Sequence, residues 1–265
     1  MPHDTLNTGL RGLALVALLA SALLGGCATA PAGVSEKDPL QPLNRKIYAF
    51  NGSFDRHIMT PVANAYTRVT PRPVRNSVSR FYNNLTYPNV VLNDFLQGKF
   101  AEGFGDAGRF LINSTVGLLG LFDPAGHLGL KPHLEDTGQT LAVWGVPQGA
   151  YLVLPFAGPD TVRDLPDLAT ITFTNALFYV ANPFVTIPLS LLGFIDYRVQ
   201  ASASINFVNE AALDPYLFVR EAYLQHREFL IYDGHPPPRL APDIEDDGED
   251  GGTPNQEKAP NPLSP

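Results

Sequence analysis

Cysteine is nearly absent. The single Cys27 among 265 residues excludes a disulfide framework and any zinc site built on thiolates. Charge is also scarce, at 17% of residues against roughly 25% in ordinary soluble domains. Disorder of the whole chain is excluded with it, because disorder needs high charge and low hydrophobicity. Basic residues are the minority, 18 against 26 acidic, and the net charge of −8 gives no footprint for nucleic acid. Chemical motifs are missing too. There is no G-x-S-x-G elbow, and Asp55 and His57 have no identifiable nucleophile beside them. His127, His133, Glu135 and Asp136 cluster without the spacing of a metal site, so no metal and no cofactor are expected. Gly103, Gly105 and Gly108 fit G-x-G-x-x-G, but the polar, helix-like residues before them are not the strand that a dinucleotide site requires. No catalytic residues are assigned, and the chain is not expected to be an enzyme.

What is present is apolar and rich in helix breakers: 45% hydrophobic residues, 25 prolines and 23 glycines. Residues 12–24 form an apolar run after Arg11, long enough for a signal peptide and too short for a bilayer core about 30 Å thick. Leu24, Gly25, Gly26 and Cys27 follow the pattern of a bacterial lipobox. This makes 1–26 a lipoprotein signal and Cys27 the acylated new N-terminus. The alternative is an ordinary secretory signal with a chance cysteine. Several acyl chains, at about 0.8 kcal/mol per buried CH₂, anchor a protein durably. Ala28 in place of aspartate resembles the default for sorting to the outer membrane. Residues 27–37 are a small, polar tether. Residues 236–265 hold seven acidic and two basic side chains, an acidic, Pro-rich disordered tail. It is either merely solvated or suited to repelling anionic surfaces or docking a basic partner. The body between, 38–235, is close to neutral.

That body reads as mainly α. Leu40, Leu43, Ile47, Phe50, Phe54 and Ile58 recur at helical spacing, with a start at either Asp38-Pro39 or Gln41-Pro42. A break at Pro71–Pro73 leads to short helices over about 75–85 and 88–97, divided at Pro88. A helix from Phe100 carries Phe104, Ala107, Leu111 and Leu118 on one face, and Asp214-Pro215 caps a last helix reaching about Ile231. One short β-hairpin is expected, Leu141–Trp144 pairing with Tyr151–Leu154 across 145–149. Residues 137–159 and 168–195 contain no charged residue or histidine. The second run could span a bilayer, but Pro183 and Pro188 interrupt it. It is either a buried helix pair or a segment lying within one leaflet, and the lipid anchor favours the leaflet.

Several motifs resemble the MlaA (VacJ) lipoproteins in order: Asp38-Pro39-Leu40, Asn44-Arg45 and Phe50-Asn51; Asn84-Leu85, Pro88, and Asn93 with Leu96-Gln97-Gly98; then Arg109-Phe110, Asn113-Ser114-Thr115 and Gly120 to Ala125. Gly138, Thr140-Leu141, Trp144-Gly145, Gly149, Tyr151, Leu154-Pro155, Arg163-Asp164, Asp214-Pro215-Tyr216, Arg220 and Tyr223 continue the likeness. The resemblance implies a ring-like helical lipoprotein in the inner leaflet of the outer membrane. Such proteins draw misplaced phospholipids from the outer leaflet through an amphipathic channel and pass them to a soluble periplasmic carrier, in association with trimeric porins. No bond is broken. Asn93, Gln97 and Asn113, polar residues within apolar helices, are the candidates for lining that channel, or alternatively cap helices and join them. A structural lipoprotein that scaffolds porins without moving lipid is the second reading, and a lipid hydrolase a third without a nucleophile to support it.

Overall fold

The computed structural model describes residues 38–237. The expected signal, Cys27, the tether and the tail beyond 237 lie outside the described residues. The first helix, α1 (Gln41–Phe54), takes the second of the two proline starts, with Pro42 in its first turn. It continues without a break through a π-helical turn (Asp55–Met59) into α2 (Thr60–Val69). Pro61 has no N–H to donate back along the helix, and the ladder widens immediately before it. The expected division at Pro88 does not occur. One helix, α3, runs from Arg72 to Leu96 with Pro88 inside it. The lost hydrogen bond and ring clash, worth about 3 kcal/mol, are outweighed by the packing of α3 against four other helices, among them α4 (Phe100–Thr115).

After α4 the chain turns through Leu118, Leu119 and Gly120, all in the left-handed region. A Cβ on Gly120 would lie 2.3 Å from that of Asn84, so glycine is required there on two counts. The short α5 (Pro124–His127) is capped by Asp123 and α6 (Thr137–Val143) by Asp136. This helix corrects the expected hairpin. The apolar residues from Leu141 end α6, and β1 (Tyr151–Leu154) pairs instead with β2 (Gly158–Thr161), Tyr151 opposite Thr161. The Asp136 side chain accepts from the Gln139 N–H at 2.8 Å and commits the segment to a helix. The uncharged run becomes α7 (Pro166–Thr174), a 3₁₀ turn (Ala176–Tyr179) and α8 (Pro183–Gln200), with Asn175 and Asn182 capping the pieces. Two helices complete the body, α9 (Ser202–Ala211) and α10 (Pro215–Ile231), the latter capped by Asp214 as expected.

Contacts between elements close into a circuit. α1 passes through the π turn to α2, and then α8, α3, α7, α6, α10, β2 and β1 follow, each touching the next, until β1 touches α1. The seam joins the two ends of the body. Asp38, fully buried, accepts from the Tyr216 hydroxyl at 2.5 Å, from Arg220 at 3.1 Å and from the Asn44 amide at 3.2 Å. Beside it Tyr151, Val153 and Tyr216 form a small apolar core, with Ile47 and Tyr48 packed against it.

The distribution of side chains is inverted. Among the described residues only Met59, Ala63, Ala125, Tyr151, Val153 and Tyr216 are buried apolar residues, while eighteen polar or charged ones are buried. Large apolar side chains face outward on many elements, Phe184 at 89% exposure and Phe104 at 71% among them. Soluble monomers rarely expose apolar patches beyond a few hundred Å². The apolar stripe of α1 is divided: Leu43 and Phe50 point outward, whereas Ile47 packs inward. No helix among the described residues is long and apolar enough to cross a membrane.

Candidate functional site

The π turn places Asp55 opposite α8, where Arg198 reaches it through both Nε and Nη2, the latter at 2.9 Å. Arg198 also donates to Thr60 at 3.1 Å and to Ser202 at 2.9 Å, so four hydrogen bonds fix the guanidinium. The Arg198 hydrogen bond holds the Asp55 carboxyl below the usual carboxylate range, against the opposing effect of burial. This pair forms part of the wall of a cavity of about 340 Å³ bounded by α1, the π turn, the hairpin and α8–α9. Asn51, Arg56 and Asn209 add to the polar wall; Tyr48, Phe54, Met59, Val153, Phe156, Phe194, Tyr197 and Ile205 line the rest.

The hairpin tip is fixed against this cavity. Phe156 adopts φ 65°, a strained conformation for an aromatic residue. Its N–H donates to Asn51 at 2.9 Å, the Asn51 amide returns a bond to Leu154 O at 2.9 Å, and its ring meets those of Phe50 and Phe54 edge-on at 5.3 and 4.9 Å. A lining that is charged in part and aromatic in part suits an amphiphile: the ion pair meets a charged group, the rings meet hydrocarbon. The volume lies at the small end of the ~300–1,000 Å³ typical of ligand sites, enough for the headgroup end of a lipid with its chains continuing outward.

The three channel candidates are divided between two other places. Asn93 and Gln97 meet at Thr140: the Thr140 hydroxyl donates to Asn93 Oδ1 at 2.7 Å, and Gln97 Nε2 reaches Thr140 at 3.2 Å and Glu135 at 2.6 Å. They join α3 to α6. Asn113 lines a second, more polar cavity of about 380 Å³ with Arg80, Asn84, Tyr87, Arg109, Asp123 and His133. There the Asn113 amide donates to Asp123 at 2.9 Å, its oxygen accepts from the Ala125 N–H at 3.1 Å, and Arg109 pairs with Asp123 at 2.7 Å. Burial pushes the Asp123 carboxyl up, but Arg109 and Asn113 hold it below its ordinary value. Gly103, Gly105 and Gly108 lie inside α4 rather than in a phosphate loop, and a Cβ on Gly103 would meet Asp94 and Phe95 at 3.2 Å. Sequence reasoning missed Asp55 with Arg198. The available signal was that Asp196 and Arg198 are the first charges after the uncharged run 168–195.

A mostly helical body that buries polar residues and turns large apolar ones outward, with no helix among the described residues long and apolar enough to cross a membrane, defines the class: an inverted helical protein with an apolar exterior. Comparison with known proteins gives the particular kind. The family model described as "MlaA lipoprotein" matches residues 36–230, and the chain belongs to that family. It is 37% identical over 247 residues to the "Intermembrane phospholipid transport system lipoprotein MlaA" of Escherichia coli K12, covering 88% of this chain and 95% of that protein. The protein of the same name from Haemophilus influenzae is 33% identical over 233 residues, covering 83% and 90%. A solved structure reported under "Structural basis for maintenance of bacterial outer membrane lipid asymmetry" superposes with a TM-score of 0.64 at 33% identity, covering 73% of this chain and 98% of that one.

Proposed function

We propose that this protein moves phospholipid between the membranes of a Gram-negative envelope. Acylated at Cys27, it lies in the inner leaflet of the outer membrane. It takes misplaced phospholipid from the outer leaflet and hands it to a soluble periplasmic carrier, with a trimeric porin as its companion in the membrane. The names of its relatives support lipid transport. The observation that carries the reading is the 340 Å³ cavity lined by both the Asp55–Arg198 pair and aromatic rings, set in a body whose exterior is apolar. The headgroup lies against the ion pair and Arg56, the acyl chains against Phe54, Phe156 and Phe194. Binding and release suffice, because no bond has to break. The driving force is the difference in the lipid's affinity along the route.

Deleting the gene and measuring phospholipid exposed on the cell surface tests this. Accumulation is the expected result, reversed by the wild-type gene. Unchanged surface phospholipid together with altered porin assembly would instead establish the scaffold reading. Cys27→Ser is expected to weaken membrane attachment and to lower complementation.

A further inference from the structure

Where α3, α4 and the loop before α6 meet, four carboxylates converge on two basic groups. Asp106 is satisfied: Tyr87 donates to it at 2.5 Å and His133 Nδ1 lies 2.7 Å away. Glu135 is also held, by Gln97 at 2.6 Å and by Lys99 at 2.7 Å. Lys99 is further shared with Asp233 at 2.5 Å. Asp94 differs. It is 0% exposed, and neither carboxylate oxygen accepts from a donor; its neighbour at hydrogen-bonding reach is the acidic Asp106. Burying a carboxylate with both oxygens unpartnered is costly, so a proton or a cation has to accompany it.

A proton would be shared between Asp94 and Asp106, whereas a cation would draw on further carboxylates. Asp94, Glu102 and Glu135 each offer an oxygen, and these oxygens all lie within 4.8 Å of one another. An all-carboxylate set selects a hard cation. Calcium takes about six to eight oxygens in flexible geometry with carboxylates mono- or bidentate, whereas magnesium demands a near-ideal octahedron and usually keeps several waters beside one or two carboxylates. We propose that Asp94, Glu102 and Glu135 form a calcium site that fastens α3 to α4 and to the loop entering α6. The residues sit 8 and 33 positions apart in the chain, and only the fold assembles them, which is why local spacing around Glu135 gave no metal pattern. The site is separate from the cavity that holds Asp55 and Arg198 and does not rest on the lipid-transport reading.

The test uses the full-length protein in detergent, stripped with EDTA and titrated with CaCl₂ and, separately, MgCl₂, by calorimetry and thermal unfolding. The expected result is one saturable calcium site per chain, a higher Tm with calcium, and weaker binding of magnesium. Asp94→Asn and Glu102→Gln, which keep side-chain shape, are each expected to weaken calcium binding at least tenfold. Their unliganded Tm values, close to or above wild type, show that folding is intact. The acidic tail offers carboxylates of its own, so calcium binding unaffected by either substitution belongs to the tail and overturns the proposal. No saturable binding at millimolar calcium overturns it too. So does a protonated-carboxyl infrared band, assigned by its loss in Asp94→Asn, that persists unchanged under saturating calcium.

Discussion

Replacing Gly138 with alanine should destabilise the protein far more than one added methyl group normally does. Gly138 lies in the first turn of α6, directly against a buried ionic network. Arg227 Nη2 donates to Asp136 at 2.9 Å and to Asp164 at 3.0 Å, and the Tyr223 hydroxyl donates to Asp164 at 3.0 Å. A Cβ on residue 138 would lie 2.1 Å from Asp164 Oδ1 and 2.6 Å from Arg227 Nη2. Neither atom can swing into solvent, because both residues are below 10% exposure. Making room therefore means separating a buried guanidinium from a buried carboxylate, and breaking such a pair costs about 3–5 kcal/mol. Set against the 5–15 kcal/mol by which most domains are stable, that is a large share. The glycine helps no other way, since as a helical residue it is inferior to alanine by about 1 kcal/mol. The control is Gly105→Ala in α4, where nothing lies within 4 Å of the added Cβ; it should be neutral or stabilise by up to about 1 kcal/mol. Thermal and denaturant unfolding of both variants in the same detergent give the comparison. A Gly138→Ala variant within about 0.5 kcal/mol of wild type, the range of ordinary surface substitutions, would refute the placement of the network against α6.

Asn44→Ala strands Tyr151 O and Val153 N, to which the side chain bonds at 2.9 and 3.0 Å; at about 1–3 kcal/mol for each unsatisfied buried group, a loss of roughly 2–6 kcal/mol should appear in the same unfolding assay. The folded-state pKa of Asp123 is below its unfolded value, so its stabilisation is complete above the unfolded value of about 3.9 and lost as pH falls through the folded one. Asp123→Asn should accordingly flatten the decline of Tm on acidification below about pH 4, and an unchanged slope would contradict the assignment. Neutralising the cavity pair in an Asp55→Asn, Arg198→Gln double variant should leave helix content intact and lower phospholipid transfer to an acceptor. Wild-type transfer by that variant would remove the pair from the proposed headgroup site.

The fold was legible where local signals act alone. Asp214-Pro215 capped α10 as expected, and the 3.6-residue periodicity located α1 and α4, because caps and amphipathic faces are written into neighbouring residues. It was not legible at Pro88, where contacts from distant helices outweigh the proline, nor at Leu141–Trp144, whose strand-like composition yields to the Asp136 cap. The family could be read from ordered motifs, whereas the cavity could not. Asp55 and Arg198 are 143 residues apart and meet only because α2 packs on α8. Asn93 and Gln97 stood out as polar residues in apolar helices, yet that pattern does not separate a side chain facing a passage from one bonded across a helix interface. Their bonds to Thr140 and Glu135 are of the second sort.

The seam at Asp38 also sets the timing of assembly. Its partners Tyr216 and Arg220 stand 178 and 182 residues further along the chain, so the circuit cannot close until α10 has been made and delivered. Contacts of such long range are slow to find, and while they are sought apolar surface and unpaired strand edges attract other chains. Until then the apolar residues of the body stand uncovered without the closed circuit behind them, and the last helix acts as the clasp that completes it.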